Sequence, residues 1–220
     1  MQEYADSHVL YPSKELQYPC SRSTRQQETS MPDFILHTPE TAPEGSRATL
    51  ETVTAAWGFT PKMHATLAES PSALVGYETL WEQLANSTLN AVEQQVAYQA
   101  VNVFHRCGYC TMGHTFLSRQ AGMDEATITR LRAGEPPEDR RLAALWTFTR
   151  TVAAARGEAR ETVPVFLAAG FTKANVLDVV AIIATKVIAN YSAALAGVPN
   201  EDFMSDPALA WTAPVAIAAE

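Results

Sequence analysis

From Ser46 onward, apolar residues recur at intervals of three and four, and each such run is bracketed by a helix-starting and a helix-stopping residue. This restricts the chain to helix packed on helix, because no segment alternates with the period of two that a half-buried strand requires. Pro71 stands at the first turn of a run in which Leu74, Tyr77, Leu80, Trp81 and Leu84 share a face. Asn90 with Glu93 has the form of a capping box, and the helix it opens should end near His105. A further helix should start at Cys107 and stop at Gly122, and Asp124 should cap a short one that ends at Gly134. Arg140 to Arg156 and Glu161 to Ala169 read as two more. Thr172 caps the longest, Lys173 to Leu195, stopped by Gly197 and Pro199. Its stretch Val179 to Ala184 is apolar on all sides, which suits a central helix or one at a subunit interface. The predicted class is all-α, a bundle of about seven to nine helices.

Residues 1–45 differ in being rich in Ser, Thr, Gln, Pro and Glu without a sustained period, and they read as a disordered leader containing Cys20. Residues 46–204 form the predicted domain and 205–220 a tail rich in Pro and Ala. With 47% hydrophobic residues over 220 positions, the chain can bury a full core. A net charge of −8 argues against nucleic acid or an anionic membrane as partner, since both require a basic face. No basic, apolar targeting segment opens the chain, and its most apolar run, Val176 to Ala189, is short and carries Asp178 and Lys186. These features predict a cytoplasmic location with no membrane span.

The chemistry concentrates in Arg106-Cys107-Gly108-Tyr109-Cys110-Thr111-Met112-Gly113-His114. Two thiols at this spacing can close into a disulfide and reopen, and a nearby imidazole can handle the proton. On one helix, Cys107, Cys110 and His114 fall at roughly 0°, 300° and 340°, a single stripe that leaves His105 on the other side. Thiols in a first helical turn meet free N–H groups that favour the thiolate, and His114, one turn on, can act as base or hydrogen-bond partner to Cys110. A thiolate so placed can attack an oxidised substrate and then condense with its neighbour. Two other readings apply to these residues. Cys107, Cys110 and His114 make three of the four ligands of a structural zinc site, with His105 or His64 as the candidate fourth. Two cysteines can also serve simply as core residues.

The stretch Asn90 to His114 resembles the alkylhydroperoxidase D group of the carboxymuconolactone decarboxylase superfamily, whose signature is a Glu, eleven residues, then CxxC and a His four residues later. The match is full at Cys107, Cys110 and His114, and Asn190-Tyr191 followed by Gly197-Val198-Pro199 is similar to the family's last helix. The resemblance implies an AhpD-like, oligomeric all-α fold and thiol-dependent reduction of a small hydroperoxide or disulfide. By the same resemblance, Cys110 attacks and passes through sulfenic acid, Cys107 donates a proton and closes a Cys107–Cys110 disulfide, and His114 takes the family histidine's place. It implies no bound cofactor, and an external dithiol reductant of lipoyl or thioredoxin type. Two positions depart from the pattern. The relay Glu is replaced by Gln95, which can orient a water but cannot accept a proton at neutral pH. The position that carries His in some members is Tyr109. Glu93, although suited to the capping box, joins Gln95 among the candidate catalytic residues, and Glu78 or Glu82 could reach in from another helix. A redox sensor without turnover, and a decarboxylase- or isomerase-type enzyme, are the alternative functions.

Overall fold

The computed structural model describes residues 33–214. They form α1 (Glu44–Trp57), α2 (Lys62–Leu67), α3 (Pro71–Ala85), α4 (Ala91–Phe104), α5 (Gly108–Gln120), α6 (Glu125–Arg132), α7 (Arg140–Ala154), α8 (Val163–Ala168) and α9 (Lys173–Ala196). Two short 3-10 turns lie at Arg160–Thr162 and Asp202–Ser205, and no strand occurs among the described residues.

The starts of these helices are set locally. Ser70 accepts from the Ala73 N–H with Pro71 at the first position of α3. Asn90 and Glu93 complete both halves of the capping box on α4. Asp124, Asp139 and Thr172 cap α6, α7 and α9, the last in a second reciprocal box with Asn175. Each such cap is worth about 1 kcal/mol to its helix. Gly197 ends α9 in the left-handed conformation at φ 61°, where a side chain would be strained.

The centre is α4, which packs on α5, α7 and α9. Val96, Ala97, Tyr98, Ala100, Val101 and Val103 are all buried along it. Leu145 and Phe148 of α7 share its core cluster, and Phe148, Phe166 and Phe171 stack in series at centroid separations of 4.1 and 4.4 Å. Burying large apolar side chains of this kind contributes about 1.5–3 kcal/mol each.

α9 is longer than the apolar run Val176 to Ala189, and by length and composition alone it could cross a membrane. Here it packs on α3 and α4 and carries Lys186 and Asn190 into the interior. Its opposite face leaves Leu177, Val180, Tyr191 and Leu195 exposed, so the helix that reads as apolar all round is buried on one side only.

The leader boundary needs correction. Residues 37–43 belong with the domain rather than with a disordered segment ending at 45. His37 is buried, its backbone N–H donates to Ala65 O and its Nε2 meets Glu69, while Ala42 packs beside Leu50 and Leu67. The leader up to Pro32, including Cys20, lies outside the described residues. Beyond α9, Leu209 is buried and Trp211 Nε1 donates to Arg132 O, which ties the start of the tail to α6.

Candidate active site

The junction between α4 and α5 places the cysteines. Arg106 takes φ 57°, a left-handed position usually filled by glycine. The Arg106 N–H donates to Val103 O and the Cys107 N–H to Asn102 O, which closes α4 and turns the chain directly into α5. Cys107 is then the extended N-cap residue of α5, and its Sγ accepts from the Cys110 N–H at 3.3 Å. This differs from the sequence reading in one respect: the free N–H of the first turn serves Cys107, not Cys110. Both thiols are buried and unbridged.

The two cysteines are driven in opposite directions. Burial pushes the Cys110 thiol up, but the Cys107 thiol, the charge of Lys186 and the Asn190 side chain together outweigh it and hold Cys110 down at about 7. Cys107 is pushed well up by its bond to Cys110 and by burial. The arrangement therefore favours one thiolate at Cys110 and one protonated thiol at Cys107.

His114 sits between two partners. Its Nδ1 lies 2.8 Å from Gln95 Oε1, and its Nε2 lies 3.0 Å from Lys186 Nζ. An ammonium can only donate, so Nε2 accepts, Nδ1 carries the proton, and Gln95 must present its carbonyl oxygen. Burial, reinforced by the Lys186 charge, depresses His114 well below the ordinary histidine value and keeps the ring neutral. Trp81 and Tyr98 pack against the ring at 5.9 and 4.9 Å. The zinc reading required His114 to share an ion with both cysteines, yet both its nitrogens are engaged. Among the described residues no three His, Cys, Asp or Glu side chains converge as a ligand set.

Of the candidate residues, Cys107, Cys110, His114 and Gln95 are brought together. Glu93 is not, and this corrects its place among them: its Oε2 accepts from the Asn90 N–H and its Oε1 from Arg141 Nε at 2.6 Å, so both oxygens are occupied at the start of α4. Glu82 is exposed. Glu78 meets His64 Nε2 at 2.6 Å. Tyr109, inside the CxxC, donates to Glu201 Oε1 at 2.6 Å and accepts from the Met63 N–H, which pins the residues after α9 against the start of α5.

Lys186 and Asn190 join this candidate site although the motif did not reveal them. Asn190 Oδ1 accepts from His105 Nδ1 at 2.9 Å, and its amide donates to Asn102 Oδ1 at 3.0 Å. His105, off the stripe, thus bonds to the same asparagine that acts on Cys110. The only sequence signal for Lys186 was a cation interrupting an apolar helix, a position that is costly unless the charge has a task.

Cys110, His114 and Lys186 open onto a cavity of about 80 Å³. Its wall is largely apolar and aromatic, with Trp57, Phe59, Trp81, Phe116 and Phe203 among the lining residues and His64 and Glu201 as further polar groups.

Helices in this order around a CxxC-bearing α5 define the AhpD-like all-α class. A crystal structure described as alkylhydroperoxidase AhpD core, an uncharacterized peroxidase-related protein from Ralstonia eutropha JMP134, superposes with a TM-score of 0.70 at 21% identity, covering 79% of this chain and 94% of that one. An uncharacterized peroxidase-related protein from Silicibacter sp. TM1040 gives 0.66 at 18% identity, covering 82% and 97%. Residues 71–137, from α3 past the end of α6, match the carboxymuconolactone decarboxylase family model, and the solved structures show that the chain has the AhpD-like fold. No curated protein gives a match.

Proposed function

We propose that the protein is a thiol-dependent peroxidase in which Cys110 is the attacking thiolate. The observation that carries this reading is a thiol held at about 7 at the wall of an apolar cavity, paired with a second thiol held protonated. A thiolate near neutral pH combines availability with nucleophilicity. Attack of Cys110 Sγ on the terminal oxygen of a hydroperoxide forms an S–O bond and breaks the O–O bond. It leaves a sulfenic acid on Cys110 and releases an alcohol after protonation. Cys107 Sγ then attacks Cys110 Sγ, expels the hydroxyl as water with the Cys107 proton, and leaves a disulfide. An external dithiol, of lipoyl or thioredoxin type, takes the oxidation in turn and restores both thiols.

Lys186 holds the thiolate, and Gln95 holds the tautomer of His114 that accepts from Lys186. The exposed face of α9 is where a second copy would pack. Peroxide consumption by the reduced protein, supplied with a dithiol, tests the reading: Cys110→Ser should abolish it, and turnover surviving in that variant would overturn the assignment.

Gln95 in place of a relay carboxylate favours a second reading, a redox sensor that forms the bridge without sustained turnover. A disulfide that appears under peroxide but is not recycled by any dithiol would support it. Activity of a decarboxylase or isomerase type would be indifferent to alkylation of Cys110.

A further inference from the structure

Attack and bridging together need two protons, one for the departing alkoxide and one for the departing hydroxide; the single proton of Cys107 covers the second, so the peroxidase reading leaves one unassigned. When Cys110 attacks, the departing alkoxide needs a proton, and the groups beside the thiol are poorly placed to give it. His114 commits its Nδ1–H to Gln95 and accepts at Nε2, and its ring stays neutral. Gln95 cannot relay a proton. Lys186 is bonded to His114. Glu201 is engaged by the Tyr109 hydroxyl and the Lys62 N–H.

On α2, a helix outside the CxxC motif, His64 lines the same cavity as Cys110. It is 7% exposed, and its Nε2 is bonded to Glu78 Oε1 at 2.6 Å. Its Nδ1 is buried with no partner among the described residues. A buried nitrogen left unpartnered is unfavourable, so it is a position that favours a ligand bearing a complementary oxygen. A carboxylate on one nitrogen orients the ring and supports a proton on the other, the arrangement used by acid–base histidines. Tyr77 packs edge-on against the ring at 5.5 Å and fixes its plane.

Resting on the peroxidase reading, we propose that His64, oriented by Glu78, is the general acid that protonates the leaving oxygen of an organic hydroperoxide bound in this cavity. Cys110 Sγ bonds the terminal oxygen, the O–O bond breaks, and the His64 Nδ1 proton passes to the alkoxide to give the alcohol. The proton returns to His64 from solvent once the alcohol has left. The His64–Glu78 pair thereby supplies from α2 and α3 the acid–base function that Gln95 cannot supply from α4.

A general acid matters in proportion to how poor the leaving group is, and this distinguishes the role from a structural one. The full-length reduced protein is mixed with cumene hydroperoxide, whose leaving group is an alkoxide, or with perbenzoic acid, whose leaving group is a carboxylate. Loss of the Cys110 thiol is followed in a single turnover. His64→Gln should slow oxidation by cumene hydroperoxide about 100-fold and by perbenzoic acid less than about threefold. Glu78→Gln should shift both in the same directions, more weakly. Alkylation of Cys110 by iodoacetamide, which needs no general acid, should be unchanged in both variants. Equal losses with the two oxidants, or no loss with either, would overturn the proposal. A wild-type protein whose Cys110 reacts with neither oxidant would instead overturn the peroxidase reading.

Discussion

Lys186 Nζ donates to His114 Nε2 across 3.0 Å, and this one bond sets the protonation of the site. It forces the proton of His114 onto Nδ1, points Gln95 Oε1 toward the ring, and brings a positive charge near the Cys110 thiol. The cation comes from the middle of α9 and the histidine from the second turn of α5, so the bond also joins two of the helices that line the cavity.

Lys186→Met removes a charge that holds Cys110 down, so the midpoint for alkylation of Cys110 should move upward from about 7. Each unit of that movement costs about tenfold in thiolate near neutral pH. The same variant replaces a buried amine by an apolar side chain of similar length, so stability should be preserved or raised while reactivity falls. Iodoacetamide rates against pH, paired with urea unfolding, check both halves.

His114 should remain neutral, with its proton on Nδ1, well below pH 6.5, and nitrogen NMR of the ring reads this directly. The stability consequence has a definite sign. A histidine depressed in the folded state binds its proton more readily when unfolded, so its contribution is complete above about pH 6.5 and is lost as pH falls toward the folded value. His105 is shifted the same way, first by burial. The unfolding free energy from urea titrations should drop between pH 6.5 and 5, by up to about 1.4 kcal/mol per pH unit from His114 alone. His114→Gln should flatten that slope.

Tyr109→Phe removes the hydroxyl that Glu201 and the Met63 N–H share. A buried carboxylate and a backbone N–H each lose a partner, at about 1–3 kcal/mol. Amide exchange should accelerate around Asp202–Ser205, and alkylation of Cys110 should become faster as Phe203 and Met204 loosen at the cavity wall. Exchange confined to global unfolding would show that the tie does not hold this segment.

What the sequence revealed, it revealed through short-range chemistry. Asn90 with Glu93 and Thr172 ahead of α9 marked helix starts because caps act within one turn. The stripe of Cys107, Cys110 and His114 followed from the helical repeat. Lys186, His64 and Asn190 were less legible because their partners arrive from other helices: Lys186 lies 72 positions from His114, and Asn190 lies 85 from His105. No local rule brings such pairs together; packing of α9 on α4 and α5, and of α2 on α3 and α9, does. Glu93 misled for a related reason. A carboxylate near the right position looked chemical, although the capping box and Arg141 consume both of its oxygens. Residues 37–43 were read as leader because their anchoring depends on single contacts, such as His37 with Glu69, rather than on a repeating pattern.

The opposed thiols of Cys107 and Cys110 carry an electrochemical consequence. Below about pH 7, two-electron reduction of a bridge between them takes up two protons; above it, Cys110 stays ionised and only Cys107 takes one. The midpoint potential should therefore fall by about 59 mV per pH unit on the acid side and about 30 mV on the alkaline side. The bend in that line marks the pH at which the couple begins to deliver one proton fewer to its surroundings with each cycle.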